Sequence, residues 1–129
     1  MRLLLDTHVV IWALTQRKLI PSRVASILQD EETSIFVSAV AIWEIAIKSS
    51  LQRVSAPEID AARVVQMCSD VAYEILPVKA SHALAVTSLP HLHADPFDRL
   101  MIAQAKIEPM RLVTHDKAVA AYDQNFLSW

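Results

Sequence analysis

Arg2-Leu3-Leu4-Leu5-Asp6-Thr7-His8 is the stretch on which the fold turns. A short apolar run without polar alternation suits a strand buried on both faces of a parallel sheet. It stops abruptly at Asp6. Val9 to Leu14, apolar almost throughout with Trp12 inside it, then reads as a helix packed on that sheet. An acid just past the C-terminal end of a buried first strand stands where open α/β sheets hold ligands. The structural alternative is that Asp6 caps the following helix.

Outward from there the same alternation repeats. Thr15 to Leu19 reads as a polar loop. Pro21-Ser22 opens a helix with Val24, Ile27 and Leu28 on one face, and Asp30 to Thr33 is a solvated turn. Ile35–Ser38 is a second strand, followed at once by a helix over Ala39–Lys48. Leu51 to Pro57 is a linker. Glu58 to Cys68 is amphipathic, with Ile59, Ala62, Val65 and Met67 as its expected core face. Tyr73–Leu76 is a third strand, closed by Pro77. Lys79 to Leu89 reads as a helix with Ala83, Val86 and Leu89 inward and His82 on its surface. Pro90 to Ala94 is a loop that contains His91-Leu92-His93. Arg111–Thr114 is a fourth strand, Lys117–Tyr122 a helix, and Asn125–Trp129 an edge strand. Strands alternating with helices imply an α/β domain, residues 1–129. Its parallel sheet has four to five strands, right-handed crossovers and helices on both faces.

Composition narrows the classes. With 129 residues, 53% of them hydrophobic, the chain can bury a sizeable core. No apolar run reaches the roughly 18 residues that span a bilayer, so no membrane association is expected. Asp6 cuts the leading apolar run too short for a signal peptide. A single cysteine, Cys68, excludes an internal disulfide and fits a reducing, cytoplasmic setting. The five histidines and the cysteine show no zinc spacing. There is no glycine, which removes phosphate-cradling loops and the dinucleotide fingerprint and denies every helix a glycine C-cap.

Five acids stand out. In Asp95-Pro96-Phe97-Asp98-Arg99-Leu100-Met101-Ile102-Ala103, Pro96 fits only the first turn of a helix. Asp95 is then the N-cap and Asp98 the N3 residue, so both carboxylates crowd one helix N-terminus. A capping arrangement alone would account for them. Leu100 to Ala103 form that helix's core. Glu44 is the lone charge on the apolar helix Ala39–Ile47, expected to be mostly buried, where a carboxylate must be paired, hydrogen-bonded or bound to metal. An i,i+4 pair with Lys48 is the structural alternative. Asp116 follows the fourth strand after Thr114-His115 and also suits an N-cap. The net charge of −2 argues weakly against a nucleic-acid partner. With these five acids gathered round a metal, however, nine acids face twelve Lys and Arg, a balance of +3.

Clustered carboxylates repel one another, and a hard divalent cation relieves that repulsion. Mg²⁺ prefers oxygen ligands and works with phosphates; it activates water and stabilises the leaving oxygen of a phosphodiester. An acid-only set points to Mg²⁺ or Mn²⁺ rather than zinc.

Four stretches together resemble the motifs of PIN-domain ribonucleases, and more closely the VapC-type toxins of bacterial toxin–antitoxin pairs. They are Leu3-Leu4-Leu5-Asp6-Thr7, Ser38-Ala39-Val40-Ala41-Ile42-Trp43-Glu44-Ile45, Asp95 to Ala103, and Leu112-Val113-Thr114-His115-Asp116. The resemblance implies a three-layer PIN fold and a Mg²⁺-dependent endoribonuclease, with Mn²⁺ as the alternative ion. It also implies an RNA substrate, a cognate antitoxin and a homodimer. By position, Asp6, Glu44 and Asp98 match the first three acids, Asp95 an accompanying acid, and Asp116 the variable fourth, with Thr114 beside it. All five acids then hold the metal. Arg99, Lys48 and Lys117 are the expected phosphate contacts, or else solvated surface charges. The family implies a groove for an apolar antitoxin segment, which Trp12 and Trp43 would line unless they pack into the core. The chain departs from the family in lacking glycine. Two alternatives stay open: a PIN-fold binding module without activity, and another Asp-dependent phosphoryl-transfer enzyme. A haloacid-dehalogenase-like phosphatase would carry a second Asp where His8 stands.

Overall fold

The computed structural model describes residues 1–51 and 59–129. Their order is β1 (Arg2–Leu5), α1 (Thr7–Thr15), α2 (Ser22–Gln29), β2 (Ser34–Ser38), α3 (Ala39–Ser50), α4 (Ala61–Asp70), β3 (Glu74–Leu76), α5 (Ala80–Ala85), α6 (Pro96–Ile107), β4 (Arg111–Thr114), α7 (Lys117–Ala120) and β5 (Leu127–Ser128). Short 3₁₀ turns cover Arg17–Leu19 and Val86–Ser88. The linker expected from Leu51 to Pro57 falls, beyond Leu51, outside the described residues.

The sheet runs β3-β2-β1-β4-β5, with every pairing parallel. β1 sits at the centre, Leu5 opposite Val37 on one side and Val113 on the other. Leu3, Leu4 and Leu5 are all at 0% exposure. Successive strand residues point to opposite faces, so three consecutive buried leucines mean that both faces are covered. Right-handed crossovers in the β1→β2→β3 direction set α1–α4 on one face. The return to β4 and β5 sets α5–α7 on the other. In agreement, α1, α3 and α4 pack on one another, and α6 packs on α5 and α7. β5 pairs with β4 at the edge, as the reading of Asn125–Trp129 anticipates.

Four local readings change. α4 buries Val64 and Cys68, while Ala62 and Val65 are exposed. Asp60 caps this helix by accepting from the Arg63 N–H at 2.8 Å. That start sets the phase, and the adjacent valines 64 and 65 left it open. α5 ends at Ala85, with Ala83 exposed. His82 is buried, not at the surface: Nδ1 accepts from the Lys79 backbone N–H at 3.0 Å and Nε2 meets the Glu108 carboxylate. α3 is one-sided rather than buried all round, with Trp43 57% exposed against the edge of Phe97.

Without glycine, α4 closes on Ala72 at φ 62°. The Tyr73 N–H bonds to the Cys68 carbonyl and the Ala72 N–H to the Ser69 carbonyl, a left-handed closure that glycine would usually supply.

Candidate active site

The strand order reverses between β1 and β4: the chain moves outward from β1 to β3, then returns to place β4 on β1's other side. At such a switch point the loops leaving neighbouring strands diverge and open a crevice beyond their C-terminal ends. Asp6 follows β1 and Asp116 follows β4, so both stand at its mouth.

Asp6 lies beside β4 because the ladder continues one step past β1, its N–H bonding to the Val113 carbonyl at 2.9 Å. Its Oδ1 accepts from the Thr7 N–H and caps α1, while Oδ2 accepts from the Thr114 hydroxyl at 2.7 Å. Capping and site are therefore not alternatives here; the two oxygens divide the roles. Burial pushes the Asp6 carboxyl up, against the lowering effect of the Thr114 and Thr7 bonds. The Thr114 hydroxyl also accepts from the Asp116 N–H at 3.0 Å, tying the two acids to one side chain.

Glu44 is 3% exposed. Ser38 caps α3 and bonds to buried Gln104, which sets the helix and carries Glu44 inward one and a half turns later. Glu44 accepts from the Thr7 hydroxyl at 2.8 Å and pairs with Lys48 at 2.6 Å. The i,i+4 pair is real, and it forms on the wall of the cleft.

At the third corner Asp95 caps α6, its Oδ1 accepting from the N–H groups of Phe97 and Asp98. Asp98 is the N3 residue, as its spacing from Pro96 predicts. Its Oδ2 meets His93 Nε2 at 2.7 Å. Burial, then the charge of Asp6, pushes Asp98 up to about 7. The Asp98 hydrogen bond raises His93 in turn. Asp116 caps α7 through Oδ1, and its Oδ2 lies 3.9 Å from the same His93 nitrogen.

Asp6, Glu44, Asp95, Asp98 and Asp116 thus line one cleft of about 140 Å³, together with Thr7, His8, Lys48 and His93. His93, Asp98 and Asp116 offer ligand atoms all within 4.8 Å of one another. The donor chemistry fits a hard divalent cation: oxygens predominate, and the carboxylates raise one another's affinity for protons. Four helix N-termini, those of α1, α3, α6 and α7, open on this side of the sheet and partly offset the negative charge.

His93 lies in a loop, as the sequence predicts, but it also has two carboxylate partners in the cleft, Asp98 and Asp116. Its one signal was its place just before an N-cap acid. Arg99 is not a free solvated charge: its guanidinium bonds to the carbonyls of Pro90 and Val86 and to the Tyr122 hydroxyl. It staples the loop that carries His93. Lys48 lines the cleft and Lys117 is exposed. Trp43 does not pack into the core, and Trp12 is half-buried.

Among solved structures of like fold, the VapBC2 complex of Rickettsia felis bound to a promoter DNA fragment matches at TM-score 0.69 and 17% identity, covering 100% of this chain and 98% of that one. VapBC-1 of nontypeable Haemophilus influenzae matches at TM-score 0.63 and 16% identity, covering 100% and 97%. A toxin–antitoxin complex of Klebsiella pneumoniae matches at TM-score 0.64 and 15% identity, covering 96% and 94%. No curated protein matches in sequence. The PIN domain model matches residues 3–125, nearly the whole chain, and the protein belongs to the PIN domain family.

Proposed function

We propose that this protein is a Mg²⁺-dependent endoribonuclease, the VapC-type toxin of a toxin–antitoxin pair. The observation that carries the reading is the meeting of five carboxylates, four at helix starts and Glu44 from within α3, in one cleft at the sheet's switch point. Asp6, Glu44 and Asp98 would hold Mg²⁺, or Mn²⁺, with Asp95 and Asp116 assisting. A cation bound there activates water and neutralises charge at the phosphate and the leaving oxygen. The chain's own residues do the rest. Thr7 and Thr114 hold Glu44 and Asp6 in orientation. Lys48, on the cleft wall, offers a cation to the incoming phosphate. The His93–Asp98 pair holds a proton at the cleft's edge.

Likeness to a solved toxin–antitoxin complex supports a cognate antitoxin as partner. The homodimer rests on the family resemblance alone. No helix among the described residues is long and apolar enough to cross a membrane, and Cys68 is a free, buried thiol. The cytoplasm is the proposed place of its work.

The test is cleavage of a mixed RNA pool in Mg²⁺, in EDTA, and by Asp98→Asn. Cleavage that requires the metal and falls more than about hundredfold in the variant is expected, beyond the usual loss on removing a metal's outer-shell partner. Full-rate cleavage by Asp98→Asn would overturn the assignment. Stoichiometric metal binding without cleavage of any RNA would favour a binding module.

A further inference from the structure

The acidic cleft has an aromatic bank on one side. His8 is exposed, lines the cleft and lies two residues past Asp6. Its ring centroid is 6.1 Å from that of Trp12, one turn further along α1. Trp12 meets the edge of His115 at 5.7 Å and Trp129 at 6.1 Å. His115 and Trp129 lie 5.1 Å apart with their planes 24° from parallel, a stacked pair. Three separate parts of the chain therefore deliver four rings to one surface: α1, the turn between β4 and α7, and the segment through β5. His8 and His115 are exposed, and Trp12 and Trp129 half-buried. His115 directly precedes Asp116, so the bank adjoins the site acids at both His8 and His115.

We propose that His8, Trp12, His115 and Trp129 form a stacking platform for unpaired bases of an RNA strand whose phosphate lies in the acidic cleft. The proposal rests on the ribonuclease reading and adds to it how the strand is gripped. Two features favour a nucleobase over an apolar protein segment. Half the rings are imidazoles; His115 Nδ1 is bonded to the Trp129 carbonyl, but an apolar segment would strip the other ring nitrogens of water at a cost. A base stacks on ring faces and leaves ring nitrogens at its edge hydrated. The platform is also continuous with the place where a phosphate must sit, so one strand reaches both. Stacking of this kind is tolerant of sequence and needs bases free of a duplex.

The experiment measures binding of a short fluorescein-labelled oligoadenylate by anisotropy, in Ca²⁺, with a gel to verify that the strand stays intact. The same oligonucleotide carrying abasic riboses is measured beside it. Both are titrated with the wild-type protein, Trp129→Ala and Trp129→Phe, after circular dichroism shows that each is folded. Trp129→Ala is expected to weaken binding of the intact strand by about 5- to 150-fold, the worth of one stacked base. It should leave the abasic strand's affinity unchanged, and Trp129→Phe should restore most of the loss. Equal weakening for both strands would make Trp129 a structural residue and overturn the platform. Undiminished binding by Trp129→Ala would overturn it too and give the bank to a protein partner. Cleavage of the mixed RNA pool, followed in parallel, separates the two claims. Asp98-dependent cutting without base-dependent binding sinks the platform alone; neither cutting nor binding sinks both.

Discussion

Thr114 carries two bonds on one hydroxyl: it donates to Asp6 and accepts from the Asp116 backbone. It is fully buried, so neither bond can be replaced by water. Thr114→Val keeps the shape and removes both. The expected result is a stability loss of about 1–3 kcal/mol by denaturant titration. RNA cleavage should fall by about 10–100-fold, the usual effect of losing a partner that orients a ligand carboxylate. An unchanged cleavage rate would show that Asp6 needs no such positioning. At this scale the acids were legible in the sequence, because an acid after an apolar run or on an apolar helix is a local anomaly. His93 was not legible. A histidine in a polar loop is unremarkable until Asp98 and Asp116 are brought to it from beyond the cap of α6 and from the end of β4.

Elements account for how the site is held. Ala72 at φ 62° closes α4 where a glycine would be free of strain, and the left-handed conformation costs a residue with a Cβ about 1–2 kcal/mol. Ala72→Gly should therefore raise the denaturation midpoint at unchanged slope. A net gain of about 1 kcal/mol is expected, since the more flexible unfolded chain returns part of the benefit. No gain would mean that the surrounding chain tolerates the strain without cost. On the other face, Glu108 follows α6 and grips His82 of α5. The His82 hydrogen bond holds the Glu108 carboxyl below its usual 4.5, with a smaller contribution from Lys79. A carboxylate with a lowered folded-state pKa contributes stability that is present above the unfolded value and lost as pH falls through the folded one. The melting temperature of the wild type should then drop more steeply than that of Glu108→Gln as pH falls below 4.5, with the two curves parallel near neutrality. Parallel curves throughout would remove this pair as an acid-sensitive tie. Helix and strand identities were legible from apolar runs and Pro-capped starts, yet helix phase was not always so. The sequence Val64-Val65 offers either valine to the core, and the start at the Asp60 cap turned Val64 inward.

The whole molecule gathers like charges at one end of a parallel sheet, with desolvation raising the pKa of Asp6 and Asp98. A ligand that binds only the folded state stabilises by mass action, about 2.7 kcal/mol at a hundred times its Kd. Adding Mg²⁺ to metal-free protein should raise the melting temperature in a concentration-dependent way, and Asp98→Asn should abolish the rise. A wild-type melting temperature indifferent to Mg²⁺ and Mn²⁺ would remove the metal site whatever the activity assay reports. This readout needs no substrate, so it tests the cation separately from the RNA.

By itself the sequence determined the alternation of strand and helix, the burial of β1 on both faces and the N-caps at Asp6, Asp95 and Asp116. Each of these is a local consequence of side-chain polarity, proline geometry and the reach of a carboxylate to a neighbouring N–H. Only the tertiary structure decided that α3's exposed face carries Trp43, that His82 is buried and that His93 belongs with the acids. It also decided that four rings meet beside the cleft. These depend on the order β3-β2-β1-β4-β5, which carries Asp6 across 108 residues to Thr114. The free energy of such a contact lies in the pairing of β1 with β4 and in no stretch of chain that can be read alone.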